Sequence, residues 1–491
     1  MNRHQRPNIV LIMTDQQRAD FTAAAGFPLD TMPFIDSLAA RGTRFTRAYT
    51  PMPTCAPARC SLFSGRWPHA SRVRENWGIN AIRRTTDLPE TLRAQGYALW
   101  LAGKNHSYLR REELDACASY MHTGSLNVER SAQEEAFDRY LDGLDHGVAT
   151  EPAPFPVDCQ LPARIVRDAI SMVDTHDAAQ PFFLWLSFPE PHNPYQVPEP
   201  YFSLFDEQTM PEPATTAADG AAKGPKWRWM QTLIEEKRPG YREQWRRYRA
   251  NYCGMLRLID DQLRRFAQHL ESQGLLDNTL FVFVSDHGDY AGDYGLQRKG
   301  VGLPETLVRV PMVWAGPGVE AGVVRDDHVS LADIFPTLAE MVGAPIPYGV
   351  QGRSLQPMLA GEAYPADEFR SVYAELGFGG LPYGEDERPE LHFDYAGPSF
   401  DELNTVTQSG KLKMVRWGRW KLVYDSLGQG ELYDLEADPY ELTNLWDDTA
   451  HAAQRAALTE ELLRWTIRTE DDLPTAKYLP KQAEHGWYRP G

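Results

Sequence analysis

Residues 8–17 read NIVLIMTDQQ: five consecutive apolar positions, Ile9 to Met13, run into Thr14, Asp15 and Gln16. A run this short, unbroken rather than alternating, suits a strand buried on both faces, as in a parallel sheet. Working outward, four further stretches have the same form: YALWLAG (97–103), PFFLWLSF (181–188), TLFVFVS (279–285) and PMVWAG (311–316). Helical patterns lie between them. PFIDSLAARG (33–42) and LPETLRAQG (88–96) each end on a glycine stop, and Tyr252, Met255, Leu256, Ile259, Leu263, Phe266 and Leu270 step by threes and fours along one helix face. Strands alternating with helices predict an α/β fold, a large mainly parallel or mixed sheet flanked by helices.

In such a sheet, ligands bind beyond the carboxyl ends of the strands. Every run except 311–316 delivers polar groups there: Asp15 and Gln16 after the first, Lys104 and His106 (GKNH) after the second, His192 (PEPHNP) after the third, Asp286 and His287 (SDHGD) after the fourth. Each residue alone also fits an ordinary role, since an aspartate after a strand often caps a helix. Four such ends on one edge point to a site. Asp15, Gln16, Asp286 and His287 offer two carboxylates, an amide oxygen and an imidazole, a set that suits Ca²⁺ or Mg²⁺ and leaves room for Mn²⁺.

The chain has 491 residues and a formal net charge of −18, without a basic tract, which argues against nucleic acid as a partner. Its five cysteines form no disulfide framework or zinc spacing. The N-terminal apolar run is short and lacks a small-residue cleavage site, and no stretch is long enough to cross a membrane. The expectation is a cytoplasmic protein. Residues 213–227 have loop composition. Beyond residue 363, RWKLVYD, SLGQG and ELYDLEADP read as strand, turn and strand, followed by a helix around 452–468. The expected organisation is a catalytic unit over 1–362 and a smaller α+β domain, antiparallel sheet and helix, over 363–491.

The stretch PTCAPARCSLFSG (53–65) carries a resemblance. CAPAR followed by CSLFSG resembles the C-x-P-[SA]-R-x4-[ST]-G signature of the type I sulfatases, in the alkaline-phosphatase superfamily. DQQRAD, GKNH, PHNP, SDHGDYAGDYGLQRKG, and GRWKLVYD with GELYDLEADPYELTNL resemble further motifs of that family, over most of the chain. The resemblance implies an alkaline-phosphatase-like fold and hydrolysis of sulfate esters. It also implies that a separate formylglycine-generating enzyme oxidises Cys55 to formylglycine. Hydrated to a diol, this group attacks sulfur with one oxygen and expels sulfate with the other, so two easier steps replace one hard one.

By the same resemblance, Asp15, Gln16, Asp286 and His287 hold the metal, Ca²⁺ first. Arg59 steadies the diol and the ligands, and Lys104 and Lys299 hold the sulfate oxygens. His192 protonates the leaving oxygen, His106 takes the diol proton, and Asn76 (RENWG) lies against the sulfate. Arg309 and Cys60 are expected to be structural. Gln16 and His287 replace the commoner Asp and Asn, as in a branch that includes choline sulfatases and phosphonate monoester hydrolases. That keeps a phosphonate monoester or phosphodiester hydrolase as the alternative. The Lys–His pair of GKNH favours sulfate, because the phosphonate enzymes of this branch lack it. The expected substrate is a small organic sulfate, such as a sulfated sugar. Residues 213–250 and 375–410 are candidate lids, their aromatic side chains either stacking on substrate or packing between domains. A homo-oligomer, dimer or tetramer, is the expected assembly.

Overall fold

The computed structural model describes residues 6–389, 403–470, 473, 479 and 481–489. Its main sheet has nine strands among the described residues. They are β1 (Asn8–Asp15), β2 (Thr43–Tyr49), β3 (Ala98–Lys104), β4 (Ala116–Met121), β5 (Gly124–Ser125), β6 (Phe182–Pro191), β7 (Thr279–Ser285), β8 (Arg309–Ala315) and β9 (Val323–Ser330). The spatial order is β5-β4-β3-β6-β1-β7-β8-β2-β9, with β1 near the middle. Strands β4, β3, β6, β1 and β7 are mutually parallel neighbours.

β1 shows why an unbroken apolar run is needed. Val10 and Ile12 point to one face and pack with Tyr252, Leu256 and Ile259 of the long helix Trp245–Ser272. Ile9, Leu11 and Met13 point to the other and pack with Ala58, Leu62 and Phe63 of helix Cys55–Ser64 and with Phe335 and Leu338. Alternate side chains thus enter two separate cores, so neither set can be polar.

Two expectations change. The run at 311–316 leads to no polar cluster because β8 is antiparallel to β7, so its carboxyl end lies at the opposite edge of the sheet. Residues 213–227, read as loop, carry the helix Ala217–Ala222 and the start of helix Pro225–Lys237. The first is nucleated by a capping box: Thr216 Oγ1 accepts from the Asp219 amide, and the Asp219 carboxylate accepts from the Thr216 amide.

A second, antiparallel sheet runs β10 (Ser371–Gly379), β11 (Gly410–Trp417), β12 (Trp420–Asp425), β13 (Gly430–Asp434) in sequence order. Helix Ala452–Arg468 covers one face through Leu458, Leu462 and Trp465. The other face packs on Tyr49, Met52, Leu303 and Val308 of the main body. Trp487, near the chain's end, returns to the main-body core and donates its indole N–H to the Ser354 carbonyl. The expected boundary near residue 363 falls between helix Gln356–Leu359 and β10.

Candidate active site

Cys55 is the first residue of helix Cys55–Ser64 and is buried. The N-cap, Thr54, makes no capping hydrogen bond; instead Asn76 Oδ1 accepts from the Ala56 amide at 3.1 Å. The structure therefore places Asn76 at the helix N-terminus, beside the residue expected to react. Cys55 Sγ lies 3.2 Å from His287 Nε2 and 3.7 Å from Asp15 Oδ1.

The carboxyl ends of β1 and β7 supply the acidic groups. Arg59, one helical turn after Cys55 and wholly buried, bridges them: Nη2 donates to Asp15 Oδ2 and Nε to Asp286 Oδ2, both at 2.9 Å. Its Nη1 donates to the Lys104 carbonyl and to Ser187 Oγ. Gln16, at φ 70°, turns sharply after β1, and its amide donates to Asp286 Oδ1 at 3.0 Å. A left-handed backbone is uncommon for a side-chain-bearing residue and recurs at functional sites. The glycine of GKNH also has a local cause. A Cβ on Gly103 would lie 1.7 Å from the Ser187 carbonyl oxygen of β6.

The donor set fits a divalent cation. Ligand atoms of Asp15, Cys55, Asp286 and His287 all lie within 4.8 Å of one another. His287 Nδ1–H donates to the Gly288 carbonyl, so Nε2 is the atom that faces the cluster; against burial, the Asp286 and Cys55 charges raise His287 and favour a proton there, which a metal ion would displace. Burial would raise Asp15, but Lys104 and Arg59 hold it well below the usual carboxylate range, while burial and the Asp15 charge push Asp286 up. A cation between them relieves that repulsion. Gln16 is oriented by Asp289: its Nε2 donates to Asp289 Oδ2 at 2.7 Å, so its Oε1 faces the site, 3.1 Å from Lys299 Nζ. Asp289 is in turn held by the hydroxyls of Tyr195 and Tyr248. A second grouping, Asp15, His122 and His192, is close enough for a metal. Lysine ammoniums stand where the cation would, Lys104 Nζ at His122 Nε2 (2.8 Å) and Lys299 Nζ at His192 Nε2 (3.3 Å).

The surroundings favour negative charge at Cys55. Burial and Asp15 would raise the thiol, yet Lys104, Lys299 and His287 bring it down to about 6. Cys60, five residues on, is pushed up to about 12 by burial and belongs to the core. Lys104 Nζ also donates to Asp15 Oδ2. His192 and His122 rest well below the usual histidine range, through burial and the neighbouring cations.

The structure thus brings together Asp15, Gln16, Cys55, Arg59, Lys104, His192, Asp286, His287 and Lys299. His106, which burial, Lys104 and Arg59 lower to about 3, is not in hydrogen-bond contact with Cys55, and its Nδ1 lacks a partner among the described residues. Arg309 pairs with Glu305 at 3.7 Å and donates to the Thr46 carbonyl. The sequence reading missed His122, Asp289 and Tyr195. His122 follows β4 as the other site residues follow their strands, but β4 alternates in burial and carries no unbroken apolar run.

A helix-flanked mixed sheet with a metal-type cluster at its carboxyl edge and a residue poised for nucleophilic attack at a helix N-terminus defines a hydrolase of the alkaline-phosphatase-like class. The family model "Sulfatase" matches residues 7–344. The chain is 31% identical over 471 residues to an arylsulfatase of Clostridium perfringens, covering 90% of each protein. It is 28% identical to a choline-sulfatase of Rhizobium meliloti, covering 92% of this chain and 85% of that one. Among solved structures, a phosphonate monoester hydrolase of Agrobacterium radiobacter superposes with a TM-score of 0.77 at 28% identity, over 94% of this chain and 96% of the other. This chain belongs to the sulfatase family, and it is a sulfuric ester hydrolase.

Proposed function

We propose that this enzyme cleaves a small organic sulfate monoester, such as a sulfated sugar, using formylglycine made from Cys55. The observation that carries the reading is the placement of Cys55. It opens a buried helix, touches His287 and faces Asp15, and it is drawn toward the anionic form by Lys104, Lys299 and His287. The dipole of the helix also favours an anion at its N-terminus.

Asp15, Gln16, Asp286 and His287 would hold a divalent cation, Ca²⁺ first by its oxygen-rich set. Bound there, the cation supplies Lewis-acid charge toward the sulfate oxygens. The hydrated aldehyde at position 55 supplies the oxygen nucleophile. Lys104 and Lys299 take the outer sulfate oxygens and stabilise charge that grows in the transition state. Arg59 keeps both metal carboxylates in register. His192 holds Nδ1–H against the Asn193 carbonyl, so its Nε2 faces the leaving oxygen, and the proton it passes there comes from the Lys299 ammonium that donates to Nε2. His106, with its unpartnered Nδ1, takes the proton released at position 55 when sulfate departs.

Maturation requires a formylglycine-generating enzyme. The expected setting is cytoplasmic; no helix among the described residues is long and apolar enough to cross a membrane. Of the two expected lids, 213–250 directs Trp227 and Tyr241 into a core with Tyr290 and Tyr294. The other, 375–410, lies partly outside the described residues.

A second reading, phosphonate monoester hydrolysis, is favoured by Gln16, by His287 and by the likeness to the Agrobacterium radiobacter structure. Matured enzyme assayed on an aryl sulfate and the matching aryl phosphonate monoester decides between them. The proposal expects the larger kcat/KM for sulfate; a larger value for phosphonate overturns it in favour of the second reading.

A further inference from the structure

His122 lies outside the sulfatase motifs in this sequence, yet its ring is stacked on His192, with centroids 3.8 Å apart and planes 20° from parallel. Two further bonds fix the pair. His122 Nε2 is 2.8 Å from Lys104 Nζ, and an ammonium can only donate, so His122 Nε2 carries a lone pair and accepts. His192 is tethered at Nδ1 by the Asn193 carbonyl and at Nε2 by Lys299. When a leaving oxygen replaces Lys299 at Nε2, one hydrogen bond remains to fix the ring. A ring held at one nitrogen can tilt about that bond; a parallel ring stacked on its face removes the tilt. Lys104, which also binds Asp15, anchors the stacking partner.

We propose that His122 is a positioning residue for the leaving-group acid. Stacked on His192, it keeps Nε2 aimed at the ester oxygen, so it sets how well the enzyme cleaves esters of poor leaving groups. This rests on the assignment of His192 as the proton donor. Leaving oxygens that depart easily need little protonation, whereas those of alkyl or unactivated aryl sulfates need it fully.

Matured wild-type enzyme and variants are compared on 4-nitrophenyl sulfate and phenyl sulfate. The readout is the ratio of the two kcat/KM values within each variant, which is independent of the fraction folded or matured. His122→Phe keeps a ring to stack on and drops the acceptor; His122→Asn keeps an acceptor and drops the stack. The ratio should move against phenyl sulfate by roughly tenfold in His122→Asn and by more in His192→Ala, and stay near wild type in His122→Phe. The His192 ring protons, shielded by the facing ring, should move downfield in His122→Asn and hold in His122→Phe. If His192→Ala slows both esters equally, the assignment of His192 is wrong and the inference goes with it. If His192→Ala shifts the ratio and His122→Asn does not, the assignment stands and the role of His122 is overturned.

Discussion

At the scale of residues, the site is organised by side chains that never meet substrate. Asp289 accepts from Gln16, Tyr195 and Tyr248 and from the amides of Ala291 and Arg298, and so decides which end of the Gln16 amide faces the metal cluster. Asp289→Asn should weaken Ca²⁺ binding about 10–100-fold, the usual cost of losing a partner behind a ligand. Calorimetric titration of the protein with an unmodified Cys55 checks this, and unchanged affinity would remove Asp289 from the site. Arg59→Ala leaves Asp15 and Asp286 buried without their shared cation. It should cost about 3–5 kcal/mol in denaturant unfolding of the metal-free protein. The ligands and Lys104 were legible because they close unbroken apolar runs. Asp289 and Tyr195 were not, because their role depends on hydrogen bonds that Gln16 makes to each of them across the fold. A lone histidine after the short, half-exposed β4 gave His122 no signal either.

At the scale of elements, the reactive helix begins with a cap borrowed from another segment. Thr54 does not cap it; Asn76 does. Asn76→Ala should lower unfolding free energy by about 1 kcal/mol, the typical value of an N-cap. A thermal melt shows it as a lowered Tm, and an unchanged Tm would mean that the Ala56 amide finds another acceptor. The strands buried on both faces were readable from their unbroken apolar runs. β9 was not, because it carries three consecutive charged residues and its first five positions alternate between half-buried and exposed (VVRDDHVS), as an edge strand does. β8 was legible as a strand but not in direction, since a short apolar run looks the same read either way. That direction explains why no site residue follows it.

At the scale of the whole molecule, two buried polar networks join the second sheet to the main body. Glu305 accepts from Tyr49, Arg416 and Lys421, and Lys421 also pairs with Glu441. On β10, Glu375 accepts from the amide and Nδ1 of His69 and from the Tyr373 hydroxyl. Burial would raise Glu375, but His69, Lys413 and Tyr373 hold it at about 2, against an ordinary 4.5. A carboxyl lowered in the folded state stabilises fully above its unfolded value and loses that contribution as pH falls toward the folded one. Glu375 should therefore account for about 3 kcal/mol of stability that is present just above pH 4.5 and fades as pH falls to 2. Urea unfolding across that range should show a shallower decline for Glu375→Gln than for wild type; identical slopes would assign the acid lability elsewhere. The alternating sheet-and-helix plan was visible in the sequence. These networks were not, because nothing in the order of residues says that His69 meets Glu375.

All of this chemistry depends on Cys55 being the precursor of the nucleophile. The most direct measurement is the mass of the tryptic peptide 48–59 from enzyme co-expressed with a formylglycine-generating enzyme, taken together with sulfatase activity. The peptide should be about 18 Da lighter than the cysteine form, in a fraction that tracks activity, and Cys55→Ala should be inactive. Full activity with an unmodified Cys55, or in Cys55→Ala, would contradict it.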